Sequence, residues 1–242
     1  MILGLEDSEL SQLSDGLSVR SSSFGKQSQM WYPTIKGWPD ITNSNQATSG
    51  VLQILFRFLP TAETIEHLSI HGFNRVQNLD FIQYLPNLKS ISAAFCESLI
   101  DIQGLSGHKK LEKVSLLGSP VVDLSPLREM HRLLSLSLGF SGVSDNECKM
   151  LTGLPKLVEL DINNEKNLTS LDFICHLPKL IFLTVSDCNA VTNLDGFRDL
   201  PKLRKVLLTG CSQLQNVDGL SSCFSDIVHC CSVMLFCCFI IA

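Results

Sequence analysis

The sequence predicts an α/β repeat solenoid, with a parallel β-sheet along one side and loops or short helices along the other. Three observations predict it. The phrase Leu177-Pro178-Lys179-Leu180-x-x-Leu183-x-Val185-x-x-Cys188 returns 23 residues later as Leu200-Pro201-Lys202-Leu203-x-x-Val206-x-Leu208-x-x-Cys211. Apolar triplets in the spacing L-x-x-L-x-L recur seven times, with first positions 23, 23, 22, 24, 23 and 23 residues apart. After the two cysteines, apolar residues (Val191 and Leu194, Leu214 and Val217) lead to Asp195-Gly196 and Asp218-Gly219. A fixed period this short marks stacked supersecondary units, each too small to bury its apolar side alone.

Residues 1–48 are polar and carry no sustained apolar period. Ten of the first fifty residues are serine, so this segment is expected to lack fixed structure. Met30-Trp31-Tyr32-Pro33-x-Ile35-x-x-Trp38-Pro39 is the exception and holds both tryptophans. It either folds back to shield the first repeat or serves as a docking motif; an open solenoid end needs a cover. Residues 49–60 predict a capping helix, with a β-strand as the alternative for so short an apolar run. Leu52, Leu55, Phe56 and Leu59 share one helical face, Ser49 offers an N-cap, and Pro60 ends the run.

From 61 to 220 the seven triplets follow without a break. They are Ile65, Leu68, Ile70; Leu88, Ile91, Ala93; Leu111, Val114, Leu116; Leu133, Leu136, Leu138; Leu157, Leu160, Ile162; Leu180, Leu183, Val185; and Leu203, Val206, Leu208. L-x-L is a period-two pattern and predicts one short strand with both apolar residues inward. Three residues past the last anchor stand Cys96, Ser119, Ser141, Cys188 and Cys211 in five repeats, expected inside, near backbone groups that lack ladder partners. The fourth repeat, through Ser141 to Cys148, lacks the Asp-Gly turn and predicts more helix on the convex side.

The run L-x-x-L-x-L-x-x-(N/C)-x-x-L resembles the leucine-rich-repeat family over about residues 62–220. The resemblance implies an arc with its parallel sheet on the concave face, a face on which many members bind a protein. The repeats are similar to short internalin-type repeats, with Cys or Ser in place of the usual Asn. Phrases such as Leu207-Leu208-Thr209-Gly210-Cys211 also resemble the leucine-rich-repeat families of kinetoplastids.

Composition narrows the function. A net charge of -5 and pI of about 5.6 give no basic field for nucleic acid. The N-terminus, Met1 to Asp7, has no basic n-region, so a cytoplasmic location with reduced cysteines is expected. His67 and His71 flank the first strand but have no third ligand at a metal-binding spacing, and no metal or cofactor is expected. Asp80, Asp172, Asp195 and Asp218 recur at one place in the repeat, where a turn or short-helix start accounts for them better than a row of cation ligands. Cys188 and Cys211 have no base beside them, as a catalytic thiol requires, and an enzyme is not expected. Asn167-Leu168-Thr169 matches a glycosylation sequon but adjoins core Leu168.

Residues 221–242 form a hydrophobic, Cys-rich tail. Anchors for an eighth repeat fall due at Asp226, His229 and Cys231, so the repeat is not expected to continue in register. The tail reads as a cap on the last repeat, as the truncated or frame-shifted end of a longer array, as a membrane-associated segment, or as an anchor signal. Membrane contact is not favoured, because the run is shorter than the roughly 20 residues a span requires.

The expected working surface is the outward face of the sheet. The column inside L-x-L runs Ser69, Ser92, Ser115, Ser137, Asp161, Thr184, Leu207. Beside it lie Phe95, Phe140 and Phe182, with Glu159, Asn163, Asn164 and Asp187 toward the C-terminal half. Exposed aromatics among small polar residues suit hot-spot anchors. The pattern predicts a non-catalytic scaffold with a protein partner seated over Phe95, Phe140, Glu159, Asp161, Asn163, Phe182, Thr184, Asp187 and Leu207. The alternatives are a substrate-recognition subunit of a ubiquitin ligase, for which residues 1–60 hold no F-box or RING pattern, and a fragment of a longer array.

Overall fold

The computed structural model describes residues 47–222 except 122 and 199, together with the backbone of Leu17–Ser23, Gln29–Ile35 and Val228–His229; side chains are described within 47–220. Seven repeat strands form the middle of one sheet. They are β3 (His67–Ser69), β4 (Ser90–Ser92), β5 (Lys113–Ser115), β6 (Ser135–Gly139), β7 (Glu159–Asn163), β8 (Phe182–Ser186) and β9 (Lys205–Thr209). All pair parallel in chain order. Leu68, Ile91, Val114, Leu136, Leu160, Leu183 and Val206 align across the ladder, each a middle anchor of its triplet.

This register puts the apolar triplets into continuous columns. Leu88, Leu111, Leu133, Leu157, Leu136, Leu160 and Ile162 are fully buried. Each such side chain contributes roughly 1.5–3 kcal/mol, and only because the adjacent repeats cover it. The return paths are short 3-10 helices, including Asp80–Tyr84, Ser125–Glu129, Asp172–His176 and Asp195–Phe197. They pack Phe81, Ile82, Phe173, Ile174 and Phe197 inward. The recurring Asp opens several of these turns, but the side chain that caps them sits two residues earlier. Asn78, Asn193 and Asn216 accept from the amides of Asp80, Asp195 and Asp218 through Oδ1, and Ser170 Oγ accepts from Asp172 N. The glycine of Asp-Gly has a steric cause. A Cβ at Gly196 would lie 2.3 Å from the Leu171 carbonyl oxygen, and one at Gly219 would lie 1.8 Å from that of Leu194.

The fourth repeat departs as its sequence predicts. A short helix, here α2 (Asp145–Cys148), runs into the 3-10 helix Lys149–Gly153 and is opened by a capping box between Ser144 and Glu147. At the other end, α1 (Ser49–Phe58) buries Leu52, Leu55 and Phe56 against the first repeat, with the Phe56 and Phe81 rings stacked 5.7 Å apart. Its cap is Thr48, whose Oγ1 accepts from Val51 N at 3.3 Å, and not Ser49. Ser49 Oγ instead accepts from the amides of Gln77 and Asn78 and donates to the Asn78 carbonyl. The two hydroxyls are neighbours in the sequence; tertiary contact with the first repeat's return loop assigns their separate roles.

The two ends of the sheet are built differently from its middle. The segment expected to lack structure contributes an antiparallel hairpin, β1 (Leu17–Ser23) with β2 (Gln29–Ile35), and β2 pairs parallel with β3 at Trp31 and Leu68. That pairing covers the edge amides and carbonyls β3 would otherwise present. At the far end β10 (Val228–His229) pairs with β9, Val228 opposite Val206 and His229 opposite Leu207. An eighth repeat in register, which the sequence does not predict, would place His229 opposite Val206. A slip of one residue puts a valine at the middle anchor instead. The remainder of the tail, and the readings attached to it, lie outside the described residues.

Candidate functional site

Each repeat leaves its strand through the same backbone conformation. Two residues after the last anchor, the chain adopts positive φ at Gly72, Phe95, Gly118, Phe140, Asn164, Asp187 and Gly210, with φ between 54° and 73°. The interstrand hydrogen bonds continue through this position, from Phe95 N to Leu117 O, Phe140 N to Asn163 O, Asn164 N to Ser186 O and Asp187 N to Thr209 O. Glycine occupies it in three repeats, as sterics favour. A left-handed conformation costs a residue with a Cβ roughly 1–2 kcal/mol. Two phenylalanines nevertheless stand there, and Asn and Asp, which tolerate the geometry better, take two more.

The side chain at this position leans toward the next repeat. A Cβ on Gly118 would fall 2.6 Å from the Phe95 ring, and one on Gly210 would fall 2.0 Å from Asp187 Oδ1. Glycine in the following repeat therefore makes room for Phe95 and Asp187. Phe95 also meets the His71 ring edge-on at 5.2 Å. Phe140 is followed at its position by Asn164, not glycine, and it is the more exposed, 57% against 45% for Phe95.

The nine expected site residues share one sheet but not one cluster. Glu159, Asp161 and Asn163 alternate along β7, Phe182 and Thr184 lie on β8, and Leu207 lies on β9 beside Thr184. Phe182 marks the border where strands begin, whereas Phe95, Phe140 and Asp187 mark the border where they end. The aromatics therefore flank the hydroxyl column on opposite sides. Ser69, expected outward, is buried.

Around β7 the polar groups are linked. Ser135 Oγ donates to Glu159 Oε2 at 3.0 Å, Ser137 Oγ to Asp161 Oδ2 at 3.3 Å, and Asn163 Nδ2 to Asp161 Oδ1 at 2.7 Å. Burial pushes the Asp161 carboxyl above its usual range; hydrogen bonds from Asn163 and Ser137 oppose that rise and the neighbouring Glu159 adds to it. Among the described residues no ion pair joins a cation to Glu159 or Asp161.

The residue that sequence reasoning missed is Glu165. It holds the place that Cys96, Ser119, Cys188 and Cys211 take in other repeats, and it is fully buried. Its carboxylate accepts from Ser141 N and Oγ at 3.1 and 2.7 Å, from Gly142 N at 2.7 Å and from Val143 N at 2.9 Å. Asp145 answers from the fourth repeat, accepting from the amides of Thr169 and Ser170 at 2.8 and 3.0 Å and from the Thr169 hydroxyl. Partial burial alone would raise the Asp145 carboxyl. The Thr169 hydroxyl, the two amides and the charge of Lys149 outweigh burial and hold it below the usual range. The signal was legible as the sole charged residue at that repeat position.

The thiols at this position behave as core groups. Cys96 Sγ donates to Ile70 O at 3.1 Å, and burial pushes its pKa up to about 11 and that of Cys188 up to about 12. Raised thiols are poor nucleophiles. Among the described residues no group of three His, Cys, Asp or Glu could hold a metal ion. Nor is any helix among them long and apolar enough to cross a membrane. Asn167 Nδ2 donates to Gly142 O and the Thr169 hydroxyl engages Asp145, so both sequon side chains have structural partners.

No protein-family model and no curated protein matches the chain. Among solved structures, the internalin InlF of Listeria monocytogenes matches with a TM-score of 0.51 and 23% identity over 71% of this chain and 53% of that one. The leucine-rich repeat domain of the type III effector XopL matches with a TM-score of 0.51 and 17% identity, over 73% of this chain and 70% of that one. The chain has the leucine-rich-repeat fold. In leucine-rich-repeat terms, Cys96, Ser119, Cys188 and Cys211 stand where an inward polar side chain meets the preceding repeat's carbonyls, and Glu165 is the departure. The likeness to internalins stated from the repeat length extends to the fold; neither neighbour bears on the narrower kinetoplastid type.

Proposed function

We propose that the chain is a non-catalytic scaffold that binds a protein partner on the outward face of its sheet. One observation carries this reading. Phe140 is held, 57% exposed, at a left-handed backbone position that three other repeats fill with glycine. Stability alone favours glycine there, by about 1 kcal/mol. An exposed aromatic kept at the expense of backbone strain is explained by what it touches outside the chain. Half-exposed Thr184 and Leu207 continue the same sheet, and exposed Phe182 stands at its opposite border.

The test combines crosslinking with one substitution. A photoreactive residue placed at Thr184 or Leu207 on the sheet, and at Gln103 on the return side, is irradiated in extract from the source cells. Discrete adducts are expected from the sheet positions alone. F140G is expected to weaken them while leaving the melting temperature unchanged or slightly raised. Equal adducts from Gln103, or adducts untouched by F140G, would overturn the reading.

A further inference from the structure

Strands β6–β8 carry two features: a row of residues, one just before each strand, that follows the solenoid axis, and a pair of side chains on β7. The first is apolar. Leu134, Val158 and Ile181 follow one another through backbone hydrogen bonds, Val158 N to Leu134 O and Ile181 N to Val158 O, both at 2.8 Å. All three are half-exposed, and exposed Phe182 stands beside Ile181. Earlier in the same row, Lys89 Nζ lies 2.7 Å from Glu66 Oε1, so neighbouring side chains in this row reach one another along the surface. The second is acidic. Glu159 and Asp161 lie on β7, directly across from Phe182 and Thr184 of β8 and Ser135 and Ser137 of β6. Their hydrogen bonds come from neutral groups, and no ion pair among the described residues supplies a countercharge.

Positive charge returns on the same column at Lys113 of β5 and Lys205 of β9, two strands away on either side of Glu159. The acidic stretch is therefore bounded. Its complement is a short basic run with an apolar flank.

The spacing selects the complement's conformation. One apolar side chain per repeat, at a strand separation of about 4.8 Å, spreads three anchors over roughly 10 Å. A helix laid along this axis presents one face every 5.4 Å and meets three anchors with i, i+3 or i+4, and i+7, a total drift of about 1 Å. An extended segment presents one face every ~6.7 Å and would be about 4 Å out of step by the third anchor.

We propose, resting on the reading of this face as a protein-binding surface, that β6–β8 receive a basic amphipathic helix. Its apolar stripe lies on Leu134, Val158, Ile181 and Phe182, and its lysines or arginines lie on Glu159 and Asp161. Helix-in-groove recognition of this type reads i, i+3/i+4 and i+7 anchors.

Two synthetic peptides of about 18 residues test this, long enough for helix formation. They share one composition of leucine, lysine, alanine and glutamine. One is arranged with helical periodicity, the other in strict alternation. Binding to the full chain is read by fluorescence anisotropy and mapped by hydrogen exchange. The helical peptide is expected to bind, to protect amides of β6–β8, and to lose about tenfold in affinity to E159Q/D161N. If the alternating peptide binds this face as well or better, the helix proposal falls and the protein-binding reading of the face stands. If the helical peptide protects other strands, or ignores E159Q/D161N, the proposal falls and this surface is not its receptor. If neither peptide binds, the proposal falls, and the crosslinking result at Thr184 and Leu207 decides the broader reading separately.

Discussion

Asp161 shows how a single side chain can be held at a cost to stability. It is half-buried on β7 beside Glu159, and burial raises its carboxyl despite hydrogen bonds from Asn163 and Ser137. A carboxyl whose pKa rises on folding binds its proton more tightly in the folded state. Ionisation then works against folding, and the penalty grows as pH climbs from the unfolded pKa through the folded one. D161N is therefore expected to melt no lower than the parent at pH 7. The difference should disappear at about pH 3, where the carboxyl is largely protonated in both states. Thermal melts at the two pH values check this. A lower melting temperature for D161N at pH 7 would mean that the two hydrogen bonds outweigh burial. Phe140 belongs to the same class of residue, and neither could be ranked from composition. A phenylalanine in the sequence does not disclose its φ; only the alignment of Gly72, Phe95, Gly118, Phe140, Asn164, Asp187 and Gly210 at one strand exit makes the cost visible.

At the scale of elements, the fourth repeat is tied to the fifth by reciprocal carboxylates. Glu165 reaches back to the turn at Ser141–Val143, and Asp145 of α2 reaches forward to Thr169 and Ser170. The fourth repeat replaces the regular return turn with α2, and Glu165 satisfies three amides that this irregular turn leaves inside. E165Q keeps the shape but turns an amide donor toward amide donors. A loss of about 2–4 kcal/mol is expected, read as a lower urea midpoint with little change in slope. A loss below about 1 kcal/mol would show that the turn relaxes to water. The departure of this repeat was legible in the missing Asp-Gly, and its extra helix followed. Glu165 was legible only as an exception, because a hydrophobic-period search passes over the one charged residue at an inward position. Thr48 and Ser49 show the same limit: two adjacent hydroxyls are equivalent as caps until Gln77 and Asn78 engage one of them.

For the whole molecule, stability is a sum over repeats and their junctions, so opening begins at the ends. The seven-strand register was legible because each inward anchor recurs at a nearly constant interval and a one-residue slip would expose a column. The ends were less legible, since pairing there is set by covering an edge and not by a period; the hairpin and the shifted β10 both follow from this. Native-state hydrogen exchange is expected to find the slowest amides in β6 and β7, flanked by repeats on both sides and locked by Glu165 and Asp145. Equal protection in β3 or β9 would show that the molecule opens as one unit, with no gradient from its ends.

The glycines at the return turns give the rear of the molecule leverage over its front. At Gly104, Gly196 and Gly219 an added methyl would strike the carbonyl or backbone of the preceding repeat. A single alanine there would act as a wedge, prising two neighbours apart along one margin and tilting their strands relative to each other on the opposite margin. The shape offered to a visitor could thus be retuned by changes that never meet it. A drift in curvature at these hinges would reshape the opposite face while every side chain on it stayed the same.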